Sequence, residues 1–230
     1  MSELLIEEKN IVIPGEEIAK GMDFLPSTGT FREGESIYSK KLGLLEVKKQ
    51  VIKVIPLKGQ YMPKRGDDVV GIVRDIGFST WSIDVGCPYH INLTVSDAVR
   101  EYVDLSKDDI TKYFDIGDIV AVKVTNVTKS KMISLTMKSY GARKLEGGRI
   151  IKISYSKVPR VIGKQGSMIS MIKEHTNCKI HVGQNGYIWV NGPAEGQRLV
   201  EKAIDLIEQE AHTSGLTDRV KEMLEGDKNE

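Results

Sequence analysis

At 230 residues, with 40% apolar and 28% charged residues, the chain is long enough to bury a core and is expected to divide into two or three small domains. Its formal net charge of +1 excludes a polycation that coats nucleic acid or anionic membrane indiscriminately. No run of roughly 18 apolar residues provides a membrane-spanning helix, and the opening MSELLIEEKN carries acids where a secretory signal carries bases, so a cytoplasmic location is expected.

Residues 1–60 contain strand-like runs at 11–13, 35–39, 43–47 and 51–56, punctuated by Pro14-Gly15, Pro26, Gly29, Gly34, Gly43 and Gly59. This pattern predicts a small β domain. Nine Lys or Arg balance nine acids there, and aromatic residues are few, so docking or packing is expected of it and RNA contact is not.

Residues 61–140 predict a second module. Five β-rich runs, at 68–74, 81–85, 90–93, 119–127 and 131–137, are interrupted by helical material at 96–102 and 107–113. Five strands with a longer insertion before the fourth predict an OB barrel. Gly66-Asp67 and Gly117-Asp118 precede the β-branched runs VVGIV and IVAVKV, and ISLTMK (133–138) alternates as a closing strand. These features resemble the ribosomal S1 family of OB domains, and the resemblance implies base stacking by exposed aromatics on the second and third strands. The matching positions are Phe78 and Trp81 after Gly77, and Tyr89 with His90 after Gly86. The segment CPYHINLTVSD departs from the family pattern around the third strand, and Trp81 suits core packing as well as it suits a base. Arg74 and Lys123, placed on neighbouring strands by this register, are the expected phosphate partners of this module, and as isolated basic residues they otherwise read as plain surface.

After a linker at 141–148, residues 149–214 predict a third module. A strand at 149–156 and a short turn from Pro159 lead to Val161-Ile162-Gly163-Lys164-Gln165-Gly166. Ser167 is placed to N-cap a helix carrying Met168, Ile169, Met171 and Ile172. Strands at 178–182 and 187–190 follow, then a long amphipathic helix over 194–211 with Leu199, Val200, Ala203, Ile204 and Ile207 on one face. The order β-α-GxxG-α-β-β-α is that of a type I KH domain, which grips single-stranded RNA with its G-x-x-G loop. With 22 glycines in the chain, about two G-x-x-G matches arise by chance. The second, Gly183-Gln184-Asn185-Gly186, lies between two strands and reads as a turn.

Charge singles out the first match. Between Arg149 and His181 stand seven Lys or Arg (Arg149, Lys152, Lys157, Arg160, Lys164, Lys173, Lys179) against one acid, Glu174. A basic stripe on a neutral chain predicts a local nucleic-acid footprint. The expected RNA contacts here are Lys157, Arg160, Val161, Ile162, Gly163, Lys164, Gln165, Gly166 and Lys173.

No catalytic or metal-binding set is expected. Asp67-Asp68 and Asp108-Asp109 fall in turns or helix starts and lack a third ligand. His90, His175, His181 and His212 lack metal-ligand spacing, and Cys87 and Cys178 stand far apart as small apolar residues. No cofactor is implied.

The stretches VIPGEEIAKG (12–21), GQYMPKRGDDVVGIV (59–73), KLEGGRIIKI (144–153), KVPRVIGKQGSMISMIKEHTNCKIHVGQNGYIWVNG (157–192) and EAHTSGLTDRV (210–220) together resemble the KH-bearing RNA-binding cap subunits of the archaeal exosome. The resemblance implies a mainly β plus α/β architecture: an N-terminal β domain docked on a ring, an S1-type barrel, a KH domain and a charged tail at 215–230. It also implies a non-catalytic subunit. Three copies cap a hexameric ring of RNase PH-like subunits and pass RNA 3′ ends to its phosphorolytic sites for 3′-to-5′ degradation. The other cap protein of such particles ends in a zinc ribbon, which two lone cysteines do not supply. Two rivals stay open: a transcription elongation or antitermination factor with S1 and KH modules, and a nuclease with its own active site.

Overall fold

The computed structural model of the protein describes residues 3–57, 59–211, 213 and 215–226. It separates into two compact units, residues 1–59 and 60–230. His212 lies outside the described residues.

Among the described residues the first unit contains eight short strands: β1 (Glu3–Leu4), β2 (Ile11–Val12), β3 (Glu17–Lys20), β4 (Leu25–Pro26), β5 (Thr30–Glu33), β6 (Ser36–Ser39), β7 (Gly43–Lys48) and β8 (Val51–Pro56). They form two four-stranded sheets, β1-β3-β6-β5 and β2-β7-β8-β4. Period-2 alternation turns Val12, Leu45, Ile52 and Val54 into a core with Ile18, Ala19 and Ile37. The same alternation sends Ile11, Leu44 and Ile55, which are cross-strand neighbours, to the opposite face, where Ile11 and Ile55 are exposed. Beside that row, Lys53 and Glu46 form an ion pair at 2.7 Å.

The second unit starts with the barrel. Strands β9 (Asp68–Ile76), β10 (Thr80–Asp84), β11 (Ile91–Thr94), β12 (Ile119–Val127) and β13 (Ile133–Thr136) run in the order β13-β11-β10-β9-β12, and a β12–β13 pairing closes the ring. Between β11 and β12 the expected helices shrink to α1 (Val95–Ala98) and a single 3-10 turn at Ile110–Lys112. The cause is local: Asp104 accepts from the Ser106 N–H, Asp108 from the Asp104 N–H and Asp109 from the Thr111 N–H. These side chains offer the backbone an alternative to helix. The expected linker is also more ordered than a linker, because β14 (Arg143–Leu145) pairs with β12, Ile119 opposite Leu145.

The KH module follows as β15 (Arg149–Lys152), α2 (Val158–Ile162), α3 (Ser167–Thr176), β16 (Lys179–Val182), β17 (Tyr187–Asn191) and α4 (Ala194–Glu210), with sheet order β15-β17-β16. One sheet face packs Ile151, Ile180, Ile188 and Val190 against Val161, Ile172, Val200 and Ile204 of the helices. The expected charged tail is instead helical: α5 (Leu216–Gly226) inserts Leu216, Val220 and Leu224 into that core. Three apolar residues four apart give it a buried stripe.

The other sheet face builds a second core with the barrel, in which Tyr187 and Trp189 meet Val70, Ala121 and Leu145. The turn at Gly183–Gly186, expected to be a plain strand connection, also clasps the barrel. The Gln184 N–H donates to the Asp68 carbonyl at 2.9 Å, and buried Asn185 makes three bonds to Val70 and Val85.

Candidate nucleic-acid interface

Helix α2 stops at Gly163, whose φ of 75° and ψ of 178° lie in a region essentially reserved for glycine. A Cβ there would stand 2.7 Å from the Met168 Cβ and 2.8 Å from its backbone nitrogen, so the first glycine is required twice over. Gln165 (φ 52°) and Gly166 (φ 81°) are left-handed, and Lys164 and Gln165 project into solvent. Ser167 is the first helical residue, not the cap, and no side chain caps α3. The Ser167 N–H donates to the Lys164 carbonyl, and no side chain occupies the N–H groups that follow it in the first turn, so these face an anion with the helix dipole and Lys164 adding positive potential.

Beside the loop, a cleft of about 400 Å³ is lined by Tyr61 and Met62 of the barrel and by Tyr155, Pro159, Ile162 and Gln184 of the KH module. The Tyr61 and Tyr155 rings meet edge to face at 6.1 Å. Burial, and then the Asp67 carboxylate that accepts from the Tyr61 hydroxyl at 2.5 Å, push that phenol far above its ordinary range. The barrel-side lining by Tyr61 and Met62 was not visible in the sequence, because packing alone brings it against Tyr155 and Gln184 of the KH module.

Three of the seven basic residues are engaged within the chain: Arg149 pairs with Glu201 at 2.7 Å, Lys152 sits over the Tyr187 ring, and Lys157 donates to the Glu208 carbonyl. Lys157 is thus tied to α4. Among the described residues Arg160, Lys164, Lys173 and Lys179 are exposed and form no ion pair. Val161, expected at the RNA surface, is fully buried, because its position on α2 faces the sheet; half-buried Ile162 takes the outward place. Lys173 lies near the far end of α3 and lines a different cleft.

On the barrel, Trp81 is a core residue with no exposed surface. Its indole N–H donates to the Phe114 carbonyl at 3.0 Å, and its ring meets Phe114 edge to face at 5.1 Å. Strand alternation places it inward with Ile83, which removes it from base stacking. Phe78, at the β9–β10 turn, is 80% exposed. Half-buried Tyr89 packs on the barrel core and, with exposed His90 and Arg74, lines a pocket of about 410 Å³. The Arg74 guanidinium is held there by Asp84 at 2.9 Å. Lys123 stands opposite Asp68, at the other end of β9 from Arg74, and pairs with it at 3.7 Å. The two cations share neighbouring strands but not a site.

The paired acids have structural partners. Asp67 accepts from Tyr61 and from the Lys64 N–H, and Asp108 pairs with Lys112 at 2.6 Å. Among the described residues no three His, Cys, Asp or Glu side chains converge.

Residues 9–58 match the model of the exosome RNA binding protein RRP4 N-terminal domain, and residues 148–209 match the KH domain model. An exosome complex component Rrp4 of Thermococcus kodakarensis is 48% identical over 227 residues, covering 97% of this chain and 88% of its own length. The chain belongs to the Rrp4 family of exosome complex components. A second Rrp4, from Methanothermus fervidus, is 46% identical and spans 96% of this chain and 97% of its own. A solved structure of an exosome complex RNA-binding protein aligns with a TM-score of 0.69 at 34% identity, over 74% of this Rrp4-family chain and 98% of its own. The domain architecture expected from the sequence, β domain, S1-type barrel and KH domain, is the one observed.

Proposed function

We propose that this Rrp4-family protein is a non-catalytic RNA-binding cap subunit that captures single-stranded 3′ ends and leads them into a ring of RNase PH-like subunits for phosphorolysis. The observation that carries the RNA-binding part is the solvent-facing Gly163–Gly166 loop, with its glycine-only backbone, exposed Lys164 and uncapped α3. Phe78 supplies a base platform on the barrel, and Arg160 and Ile162 flank the loop. Arg74, Tyr89 and His90 take part together at one end of β9, and Lys123 takes part at the other. Membership of a family of exosome components separates this reading from a transcription factor.

The test is RNA binding by the full chain. Replacing Lys164 and Gln165 with Asp leaves both glycines in place and sets negative charge where phosphate sits. Affinity for single-stranded RNA is expected to fall about tenfold, and the slope of log affinity against log salt to flatten by about 0.7 for each phosphate no longer neutralised. Labelled RNA incubated with magnesium and inorganic phosphate is expected to keep its length. Unchanged affinity refutes the role of the loop, and 3′ shortening that follows the protein through purification refutes the non-catalytic role.

The N-terminal domain supports ring docking through its outward row of Ile11, Leu44 and Ile55, apolar and in register. Ile11 and Ile55 are 59% and 42% exposed. Fully burying one such side chain contributes about 1.5–3 kcal/mol. Changing Ile11 and Ile55 together to Glu is therefore expected to weaken assembly with ring subunits on the order of a hundredfold, without affecting RNA binding. Co-elution of the variant with the ring at wild-type strength would move the contact elsewhere.

A further inference from the structure

A cleft of about 680 Å³ lies at the seam of barrel and KH module, away from the G-x-x-G loop. Arg143 of β14, Lys173 of α3 and Lys179 of β16 all line it. Each is exposed and, among the described residues, none forms an ion pair. Two other charged residues share the cleft: Lys144, which pairs with Asp118, and Glu146, which leaves an excess of positive charge.

The cleft shares no lining residue with the loop. In β16 the side chains alternate: Ile180 enters the helix-side core, while Lys179 and His181 are paired with Asn191 and Trp189 on the side that meets the barrel. Burial, and then the Arg143 and Lys173 charges, depress the His181 pKa against the opposing pull of Asp68. The same positive potential would be felt by any ligand. Folding gains nothing from bringing three unpaired cations together, whereas an anion lying between them gains from all three.

We propose that this cleft is a second binding site for the phosphodiester backbone of single-stranded RNA, contacted by Arg143, Lys173 and Lys179. The inference rests on the RNA-binding reading above and extends its track. Lys173 is seven residues beyond Gly166 along α3, roughly 10 Å at the helical rise, so a strand gripped at the loop reaches the cleft after a short further run of nucleotides.

The experiment uses the full chain, two RNA probes and one free anion. A G-x-x-G loop clamps about four nucleotides, so one probe of roughly that length and one about three times longer separate the two sites. Changing Arg143, Lys173 and Lys179 to Glu is expected to weaken the long probe at least tenfold and flatten its salt slope by about 2, since each of three phosphates accounts for about 0.7. The short probe is expected to bind as before. The corresponding Gln variant is expected to show a smaller loss in the same direction, and it stands in for the Glu variant should circular dichroism show the latter unfolded. Equal long-probe affinity in wild type and variant overturns the second site but leaves the loop reading intact; failure of the wild type to bind either probe overturns both. Millimolar inorganic phosphate that shifts the Trp189 indole N–H resonance, in a protein whose long-probe affinity is unchanged by the substitutions, identifies a free-anion site and overturns the proposal.

Discussion

Asn185→Ala is expected to cost about 3 kcal/mol and to lower the melting temperature of the barrel–KH unit by about 6–12 °C. Asn185 is 5% exposed. Its side-chain oxygen accepts from the Val70 N–H at 3.2 Å, and its amide donates to the carbonyls of Val70 at 2.7 Å and Val85 at 2.9 Å. Accepting from and donating to the same residue is what a neighbouring strand does. Strand β10 pairs with β9 only as far as Ile72 opposite Asp84, so beyond that point the Asn185 amide occupies the place of the absent strand. Alanine leaves one donor and two acceptors buried without partners, each worth about 1–3 kcal/mol in lost solvation. Asn185→Asp is expected to be worse, because a carboxylate accepts from Val70 but cannot donate to either carbonyl, and its charge is buried. Calorimetry of the full chain provides the measurement. A shift below about 2 °C for the alanine variant would mean that water satisfies these groups and the clasp is not a source of stability.

The role of Asn185 had no local signature. An Asn-Gly pair between two strands is a turn signal wherever it occurs, and its bonding partners stand 115 and 100 residues away. The elements themselves were far more visible. The run IVAVKVTNV appears as β12 and the i, i+3, i+4 pattern of Val200, Ala203, Ile204 and Ile207 as α4, because each carries a period long enough to count. Strands β1, β3, β4 and β5 were missed because, at two to four residues, they mix charged or Pro residues with few β-branched ones, unlike the equally short Ile11–Val12 strand β2 with its β-branched run. Helix α5 is a different case: Leu216, Val220 and Leu224 form a one-sided stripe in plain sequence, obscured by the charged residues between them. The cleft of Arg143, Lys173 and Lys179 was half visible. Lys173 and Lys179 belong to the basic stripe, but Arg143 joins them only because β14 is paired onto the barrel, which no spacing announces.

Trp81 and Phe78 are expected to respond in opposite ways, and the contrast separates packing from stacking on the barrel. Trp81→Ala is expected to destabilise the protein by about 4 kcal/mol, since it opens a cavity on the scale of an indole in a closed core. It also leaves the Phe114 carbonyl without its donor and removes the edge-to-face contact at 5.1 Å. The melting temperature should fall by about 8–16 °C. The milder Trp81→Phe keeps most of the apolar volume and still loses the indole N–H, so it should fold with reduced stability and bind RNA within twofold of wild type. Phe78→Ala should do the reverse. Its ring is 80% exposed, so its removal leaves the melting temperature within about 1 °C, while loss of a stacking platform costs about 1–3 kcal/mol of RNA affinity. Thermal melts and RNA titrations on the three variants decide the matter. An RNA defect in folded Trp81→Phe that exceeds the defect in Phe78→Ala would place a base against the indole and require the barrel core to open on binding. The burial and hydrogen bonding of Trp81 oppose that outcome, because a residue that holds β10 to the segment around Phe114 cannot turn outward without breaking the closed barrel that positions Phe78.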